Sequence, residues 1–174
     1  MNVFIKYFLE KMKNLVRRIN EEGFVFLKFP KSKEIFERLL NTDKPDGFIK
    51  IFFIKYFKNL GISHNRLNFV YEDIYQNDYH EMHTHLTPSD FQAVVWVPRS
   101  EYRGRAFLYG TSDNLKEFYP EFGDICFMKT NDLKYIHGVK KLENDTLVRT
   151  LLISLNCSSP EDAHVTVSAE LKPI

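Results

Sequence analysis

The chain has 174 residues, of which 44% are hydrophobic and 15% aromatic, so it is long enough to bury one sizeable core. Its 24 Lys and Arg residues against 23 Asp and Glu give a formal net charge of +1, which predicts neither a nucleic-acid partner nor an anionic membrane surface. The first residues lack an uninterrupted apolar stretch and a small-residue cleavage site, which argues against a signal peptide and a membrane span. Two cysteines without metal-ligand spacing, Cys126 and Cys157, favour a reducing, cytoplasmic setting.

Helical patterns dominate the first third of the chain. Apolar residues recur at helical spacing from residue 5 to residue 19, which predicts an amphipathic helix ending before Gly23. Asp46 is a candidate N-cap for a later helix, and Gly61 suits the left-handed conformation that ends one. The elements predicted in this region are a helix ending before Gly23, a strand over 24–29, and helices over 32–40 and 48–60. We expect their apolar faces to cover a sheet.

From residue 66 onward the sequence is typical of short strands separated by turns. The predicted strands are 67–75, 80–85, 91–97, 105–109, 124–128, 135–139 and 147–155, with 165–171 as a possible edge strand. Helices first and strands after predict an α+β, mainly β fold, an antiparallel jelly roll with N-terminal helices packed on it. We expect a single domain over 1–174, with mostly helical support over 1–65, a jelly-roll core over 66–155 and a C-terminal extension over 156–174.

Three histidines are the most informative residues of the chain. His83 and His85 are two residues apart on a predicted strand, so their rings point to the same face. His137 stands near the start of a later predicted strand, and all three could converge on one metal ion at the mouth of a jelly roll. Imidazole suits Fe, Zn, Cu and Ni alike. The alternative is that the rings only satisfy hydrogen bonds on a polar strand face. We predict that His83, His85 and His137 are the metal ligands and the catalytic centre.

Arg149 is a single cation near the start of the last long predicted strand, and a buried cation needs an anionic partner. If the loop 140–146 forms a hairpin, Arg149 lies on the strand paired with that of His137. There it would lie below the metal and could bind a carboxylate of a small dicarboxylate. The alternative is a structural ion pair with a buried carboxylate such as Asp124 or Asp90.

Several of these segments resemble the Fe(II)- and 2-oxoglutarate-dependent oxygenase superfamily, most closely a small uncharacterised branch in which a His-x-x-His-x-His string replaces the usual first motif. The segments that carry the resemblance are 75–85, 91–97, 104–107, 123–127 and His137 through Arg149. The resemblance implies a cupin-like double-stranded β-helix in which His83 and His137 hold Fe(II). It also implies O₂ and 2-oxoglutarate as co-substrates, with the 5-carboxylate of 2-oxoglutarate held by Arg149, and a small-molecule or peptide substrate.

The chain departs from the family pattern at the acidic ligand. The usual motif is His-x-Asp/Glu, and here His85 stands at the acid position. Three neutral ligands leave the iron with more positive charge than two histidines and a carboxylate would. A carboxylate could instead come from Asp90 if the loop 86–89 folds back over the metal.

Further residues lie on or near the strands that would line the pocket. Four residues are candidate co-substrate or substrate contacts, namely Asn68, Tyr71, Tyr75 and Arg105, and for each the alternative is an ordinary packing or surface role. We select Asn68 and Tyr75 as cofactor-binding residues. His80 has the opposite parity to His83 and therefore points to the other face unless a bulge intervenes.

Three classes of function are compatible with this sequence. The first is a non-haem iron oxygenase, a hydroxylase that uses 2-oxoglutarate. The second is a cupin-type three-histidine metalloenzyme, such as a thiol dioxygenase, in which Arg149 has no assigned role. The third is a non-catalytic jelly roll that binds a sugar, a peptide or a partner protein. The first class accounts for the most residues. The loops that would set the prime substrate follow no local rule.

Overall fold

The computed structural model describes residues 15–62, 66–74, 80–85, 91–98, 106–140, 148–155 and 166–168. Three helices precede or flank the first strands: α1 (15–22), α2 (Lys33–Asn41) and α3 (Gly47–Asn59). The strands are β1 (Phe24–Lys28), β2 (Leu67–Ile74), β3 (His80–His85), β4 (Phe91–Pro98), β5 (Phe107–Thr111), β6 (Asn114–Phe118), β7 (Asp124–Lys129), β8 (Ile136–Val139), β9 (Val148–Leu155) and β10 (Thr166–Ser168).

Side-chain caps begin α2 and α3, and the cap of α3 is the one that the sequence predicts. The Asp46 carboxylate accepts a hydrogen bond from the Ile49 amide at 2.9 Å and caps α3. Ser32 caps α2 in the same way, through the amide of Ile35. Gly61 follows α3 with φ +72°, in the left-handed region that glycine adopts without strain.

The ten strands form two five-stranded sheets in which every recorded pairing is antiparallel. Sheet A has the order β1-β7-β4-β9-β2 and sheet B has the order β10-β3-β8-β5-β6. The predicted α+β, mainly β jelly-roll class is confirmed. The described strands stack as a sandwich and do not close into a single barrel.

Sheet A is buried on both faces, and its two faces belong to two different cores. One core joins sheet A to the helices and includes Ile35 and Phe53 from the helices with Leu151 and Ile153 from β9. The other lies between the two sheets and includes Val94 and Trp96 of β4, Cys126 and Met128 of β7, Leu152 of β9 and Phe107 of sheet B. Because successive strand residues alternate between faces, odd-numbered residues of β9 face the helices and even-numbered ones face sheet B.

One strand was not predicted, and two strands that were predicted, over 24–29 and 165–171, lie in segments expected to stand outside the jelly-roll core. β6 was not predicted, because its residues are exposed or half-exposed and show no apolar alternation. β10 lies within the expected C-terminal extension and pairs with β3, so that extension contributes to sheet B. β1 similarly lies within the expected helical support and forms the edge of sheet A.

Within the part of the chain that the structure describes, no helix is both long enough and apolar enough to cross a membrane.

Candidate metal centre

The structure brings His83, His85 and His137 together between the two sheets. His83 on β3 is the direct cross-strand partner of His137 on β8, and His85 follows on the same face of β3. Directly opposed residues of an antiparallel pair have neighbouring side chains, which explains why histidines far apart in sequence meet here. His83 and His137 are 8% and 7% exposed. The sequence prediction that these three rings share one face is met by this geometry.

The ring nitrogens have the spacing of ligands to a single ion. One nitrogen from each ring can be chosen so that all three lie within 4.8 Å of one another. The Nε2 atoms of His85 and His137 are 3.1 Å apart. Two imidazoles bound at right angles to one metal at about 2.1 Å place their nitrogens about 3.0 Å apart. The same separation also allows one ring to donate a hydrogen bond to the other. The donor set therefore fits a metal ion, and among the described residues this cluster of ligands is made of histidines alone.

Aromatic side chains surround the histidines. The His137 ring lies 6.3 Å from the ring of Phe24 and 5.7 Å from that of Phe107, measured between centroids. Tyr109 on β5 is the cross-strand partner of His137 on the side opposite His83. Burial raises the pKa of the Tyr109 hydroxyl above its ordinary value. An apolar shell of this kind limits solvent access to a bound ion.

Two rows of cross-strand partners face each other across the sandwich. The row in sheet B contains two of the three histidines; its members are Tyr109, His137, His83 and Ser168. The row in sheet A consists of Phe24, Met128, Gln92, Ser154 and Asn68. The contact between Phe24 and His137 fixes the two rows against each other at one end. The remaining members of the sheet A row lie on the same face of sheet A as Phe24, toward sheet B, and stacked sheets lie about 10 Å apart.

Arg149 does not join the triad. Its Nε and Nη2 donate to the two carboxylate oxygens of Asp73 at 2.7 and 2.9 Å, and its Nη1 donates to the carbonyl oxygen of Thr42 at 2.9 Å. Its guanidinium carbon lies 4.9 Å from the centre of the Tyr71 ring. The hydrogen bonds to Asp73 raise the pKa of the guanidinium above its ordinary value. The residue is 5% exposed and faces the helical layer with Leu151 and Ile153.

The predicted pairing of the Arg149 strand with the His137 strand is wrong. β9 pairs with β2 and β4 in sheet A, whereas β8 pairs with β3 and β5 in sheet B. The chain crosses from one sheet to the other between these strands, so no hairpin joins them. The alternative of a structural ion pair describes Arg149 correctly, but its partner is Asp73 instead of Asp124 or Asp90. Asp124 pairs with Lys28 at 2.9 Å.

Of the other candidate residues, some lie within the described part of the structure and some lie outside it. Asn68 lies on β2 as the partner of Ser154, in the sheet A row. Tyr71 lies on the helix-covered face and its hydroxyl is 3.1 Å from the Thr42 hydroxyl. Tyr75, Asp90 and Arg105 lie outside the described residues. The pairing of β3 with β8 shifts register between His80 and His83, so a bulge does intervene and simple alternation does not orient His80.

Gln92 is a residue of this region that the sequence analysis did not select. It is 1% exposed, and its Oε1 is a buried oxygen without a hydrogen-bond partner among the described residues. Its Nε2 lies 3.5 Å from the Ser154 hydroxyl oxygen, at the limit of a hydrogen bond. A lone polar residue in the otherwise apolar run of β4 was the available signal.

A cleft opens beside the triad on the β1 side of the sandwich. Its volume is about 490 Å³, and four aromatic rings line it, those of Phe24, Phe26, Tyr109 and Tyr135. Charged side chains of α1 and β6 form part of its wall, among them Arg18, Glu22 and Lys116. Phe24 contacts the ring of His137 and Tyr109 lies across the strand from it. The cleft therefore reaches the residues that flank the candidate metal ligands.

No protein-family model matches the chain, and no curated protein matches its sequence. Solved structures do match its fold. A prolyl hydroxylase from Trichoplax adhaerens, in complex with a hypoxia inducible factor oxygen degradation domain peptide fragment, has a TM-score of 0.64 at 11% identity, covering 90% of this chain and 94% of that one. A prolyl-4-hydroxylase from Pseudomonas putida has a TM-score of 0.62 at 9% identity, covering 85% and 95%. An oxidoreductase of the 2OG-Fe(II) oxygenase family from Burkholderia pseudomallei has a TM-score of 0.59 at 12% identity, covering 88% and 94%.

The chain shares its fold with 2OG-Fe(II) oxygenases. The resemblance noted in the sequence is thus confirmed at the level of the fold, over most of the length of each neighbour. At these identities the likeness concerns architecture, and the chemistry must be argued from the residues of the site.

Proposed function

We propose that this protein is a non-haem Fe(II)-dependent oxygenase that uses 2-oxoglutarate as co-substrate and hydroxylates a prime substrate still to be identified. The observation that supports it best is the cluster of three imidazoles on adjacent strands, with ring nitrogens within 4.8 Å, in a fold shared with 2OG-Fe(II) oxygenases. In the proposed reaction one oxygen atom of O₂ enters a C–H bond of the substrate. The other enters succinate, and CO₂ leaves.

His83, His85 and His137 would hold the iron. A bound Fe(II) would supply the one-electron chemistry that O₂ activation requires and that no side chain can provide. The three imidazoles must be neutral to bind it, and they leave other coordination positions for co-substrates. Phe24 and Phe107 pack against the His137 ring and exclude water from that side.

The prime substrate would enter through the aromatic cleft on the β1 side. That cleft combines aromatic rings with charged wall residues, which suits a small molecule or a peptide with both apolar and polar parts. The Trichoplax adhaerens neighbour, which has the same fold, is in complex with a peptide fragment, and this supports a peptide as one class of substrate. We also propose a cytoplasmic location, with which the free, buried thiol of Cys126 is consistent.

The decisive test adds Fe(II) and then 2-oxoglutarate without oxygen, and records iron stoichiometry and the visible charge-transfer band of a chelated 2-oxo acid. We expect one iron per chain and the appearance of the band. His137→Ala should lose iron binding by at least a hundredfold, because one of three ligands is removed. His64→Ala, a histidine outside the triad, is the matched control and should retain both signals. Retention of iron by His137→Ala would contradict the proposed ligand set.

The position of Arg149 favours a second candidate, a three-histidine metalloenzyme that does not use 2-oxoglutarate. The arginine that the resemblance assigns to the co-substrate faces the helices and is bound to Asp73. Tight iron binding without the charge-transfer band would select this candidate, and thiols would be the next ligands to examine. If wild-type protein binds no metal at all, the remaining class is a non-catalytic jelly-roll binding protein.

A further inference from the structure

The interior of the sandwich opposite the triad is lined by uncharged hydrogen-bonding side chains. Gln92, Ser154 and Asn68 are consecutive cross-strand partners on β4, β9 and β2. Alternation places all three on the face that also carries Val94, Trp96 and Leu152, which belong to the core between the sheets. We define Gln92, Ser154 and Asn68 as the amide row.

The amide row lies opposite the histidines because of the two aligned rows of partners. Phe24, which contacts His137, is followed across sheet A by Met128 and then by Gln92. Neighbouring strands are about 4.8 Å apart, so Gln92 lies about two strand spacings from Phe24 in the direction in which His137 is followed by His83. With sheets about 10 Å apart, side chains from the two rows share one small interior space.

Gln92 has an unused hydrogen-bonding atom in that space. The residue is 1% exposed, and its buried Oε1 has no hydrogen-bond partner among the residues that the structure describes. Turning the amide by 180° would give Oε1 to the Ser154 hydroxyl and leave the NH₂ group unused instead. In either orientation one end of the amide can bind a ligand. A buried polar atom without a partner destabilises a fold, and buried polar groups are for that reason normally satisfied.

An uncharged row selects a particular kind of ligand. A carboxylate buried against amides and a hydroxyl, without a cation, loses its hydration and gains no opposite charge. Among the residues that the structure describes, the buried arginine is Arg149, which is on the other face of sheet A and bound to Asp73. A carbonyl, amide or hydroxyl group would instead exchange hydrogen bonds with Gln92, Ser154 and Asn68 at little electrostatic cost.

We infer that the amide row binds the distal end of the ligand held at the triad, so that the site accepts a 2-oxo acid with an uncharged, hydrogen-bonding distal group as readily as 2-oxoglutarate. This inference rests on the proposed function, because it assumes that a 2-oxo acid chelates iron bound by the three histidines. It departs from the resemblance, which assigns that role to an arginine and a distal carboxylate.

The first experiment compares three 2-oxo acids on the anaerobic Fe(II) protein: 2-oxoglutarate, its 5-methyl ester and 2-oxohexanoate. Binding is followed by the charge-transfer band and, independently, by the fluorescence of Trp96, the single tryptophan, which faces the same interior. We expect the dissociation constant of the ester to be no more than about threefold that of 2-oxoglutarate. 2-Oxohexanoate, which offers no hydrogen-bonding end, should bind about tenfold more weakly than the ester.

The second experiment removes the hydrogen-bonding group of one member of the amide row, Gln92. Gln92→Leu should bind the ester and 2-oxohexanoate equally well, while its iron affinity stays that of wild type. The matched control is Thr150→Val. Thr150 is on the same face of β9 as Ser154, but its hydroxyl donates to the Glu72 carbonyl oxygen at 3.5 Å and is not part of the amide row. This variant should keep the tenfold preference for the ester over 2-oxohexanoate. If Gln92→Leu does not fold, Ser154→Ala tests the same row with a smaller change.

The outcomes separate the inference from the proposed function. A preference of thirtyfold or more for 2-oxoglutarate over its ester would overturn the inference, since a cation would then hold the distal carboxylate, and would leave the proposed function intact. An unchanged ligand preference in folded Gln92→Leu would also overturn it. Iron binding without any response to the three ligands would refute both.

Discussion

Two interpretations of Arg149 were compatible with the sequence, a residue that binds a co-substrate carboxylate and a residue that forms a structural ion pair. The guanidinium forms an ion pair with Asp73, and the side chains of Arg149 and Asp73 are 6% and 27% exposed. It also donates a hydrogen bond to the carbonyl oxygen of Thr42, which lies between α2 and α3. Such a fork of hydrogen bonds fixes the loop before α3 against β2 and β9. Its role is structural, on the face of sheet A away from the histidines.

Arg149→Met should therefore lower stability and spare ligand binding. Removing one partner leaves the Asp73 carboxylate without its cation, which costs about 3 kcal/mol of the free energy of unfolding. Urea denaturation measures this loss, and anaerobic titration of the folded variant should give wild-type affinities for iron and 2-oxoglutarate. The control is Arg18→Met, which breaks the exposed pair with Glu22 and should cost less than about 1 kcal/mol. A selective loss of 2-oxoglutarate affinity in Arg149→Met would restore the family assignment.

At the scale of elements, the helices follow local rules closely. The N-cap of α3 is Asp46, and its carboxylate also accepts a hydrogen bond from the Arg38 side chain of α2 at 2.8 Å. One side chain thus caps one helix and ties it to another. The amide of Ile49, and then Arg38, hold the pKa of the Asp46 carboxyl below its ordinary value of 3.8.

Asp46→Ala should destabilise the protein by about 1 kcal/mol at pH 7, the usual effect of losing a helix cap. Because the pKa of Asp46 is lower in the folded protein than in the unfolded chain, its charge stabilises the fold above about pH 4. That stabilisation is lost as pH falls through the folded-state pKa. Urea denaturation at pH 7 and at pH 3 should show the difference between variant and wild type shrinking at the lower pH. Asp113→Ala, in an exposed turn, should show neither effect.

The strands were harder to predict than the helices, for reasons visible in two of them. β6 lies at the edge of sheet B, and its residues are exposed or half-exposed, so neither of its faces is buried. Its sequence therefore does not alternate between apolar and polar residues. In β3 a bulge between His80 and His83 interrupts the alternation that the sequence argument assumed. Between His83 and His85 the strand is regular, and there the prediction of a shared face agrees with the structure.

For the whole molecule, the order of strands determines which backbone amides are protected from hydrogen exchange. β9 lies between β4 and β2 in sheet A and is covered by the helices on one face and by sheet B on the other. β6 is an edge strand with exposed residues. Segments with many buried contacts open only by global unfolding, whereas edges open locally.

Hydrogen exchange should reproduce this order. We expect the backbone amides of Leu151 and Ile153 in β9 to exchange at least about a thousandfold more slowly than those of β6 that bond to β5. β4, the other inner strand beside β9, serves as the internal reference and should match it. Exchange in β9 as fast as in β6 would contradict the sheet order.

The sequence by itself determined what depends on neighbours along the chain: the helix caps, the end of α3 at Gly61, and the shared face of His83 and His85. It also supported the jelly-roll class, since helices followed by short strands admit few arrangements. Contacts between distant segments place β9 in sheet A, turn Arg149 toward the helices and turn Gln92 toward sheet B, and none of these follows from local sequence. The physical reason is that β9 and β4 are buried on both faces, so their nearly continuous apolar runs do not distinguish one face from the other. That choice is made by strand pairing across long sequence separations.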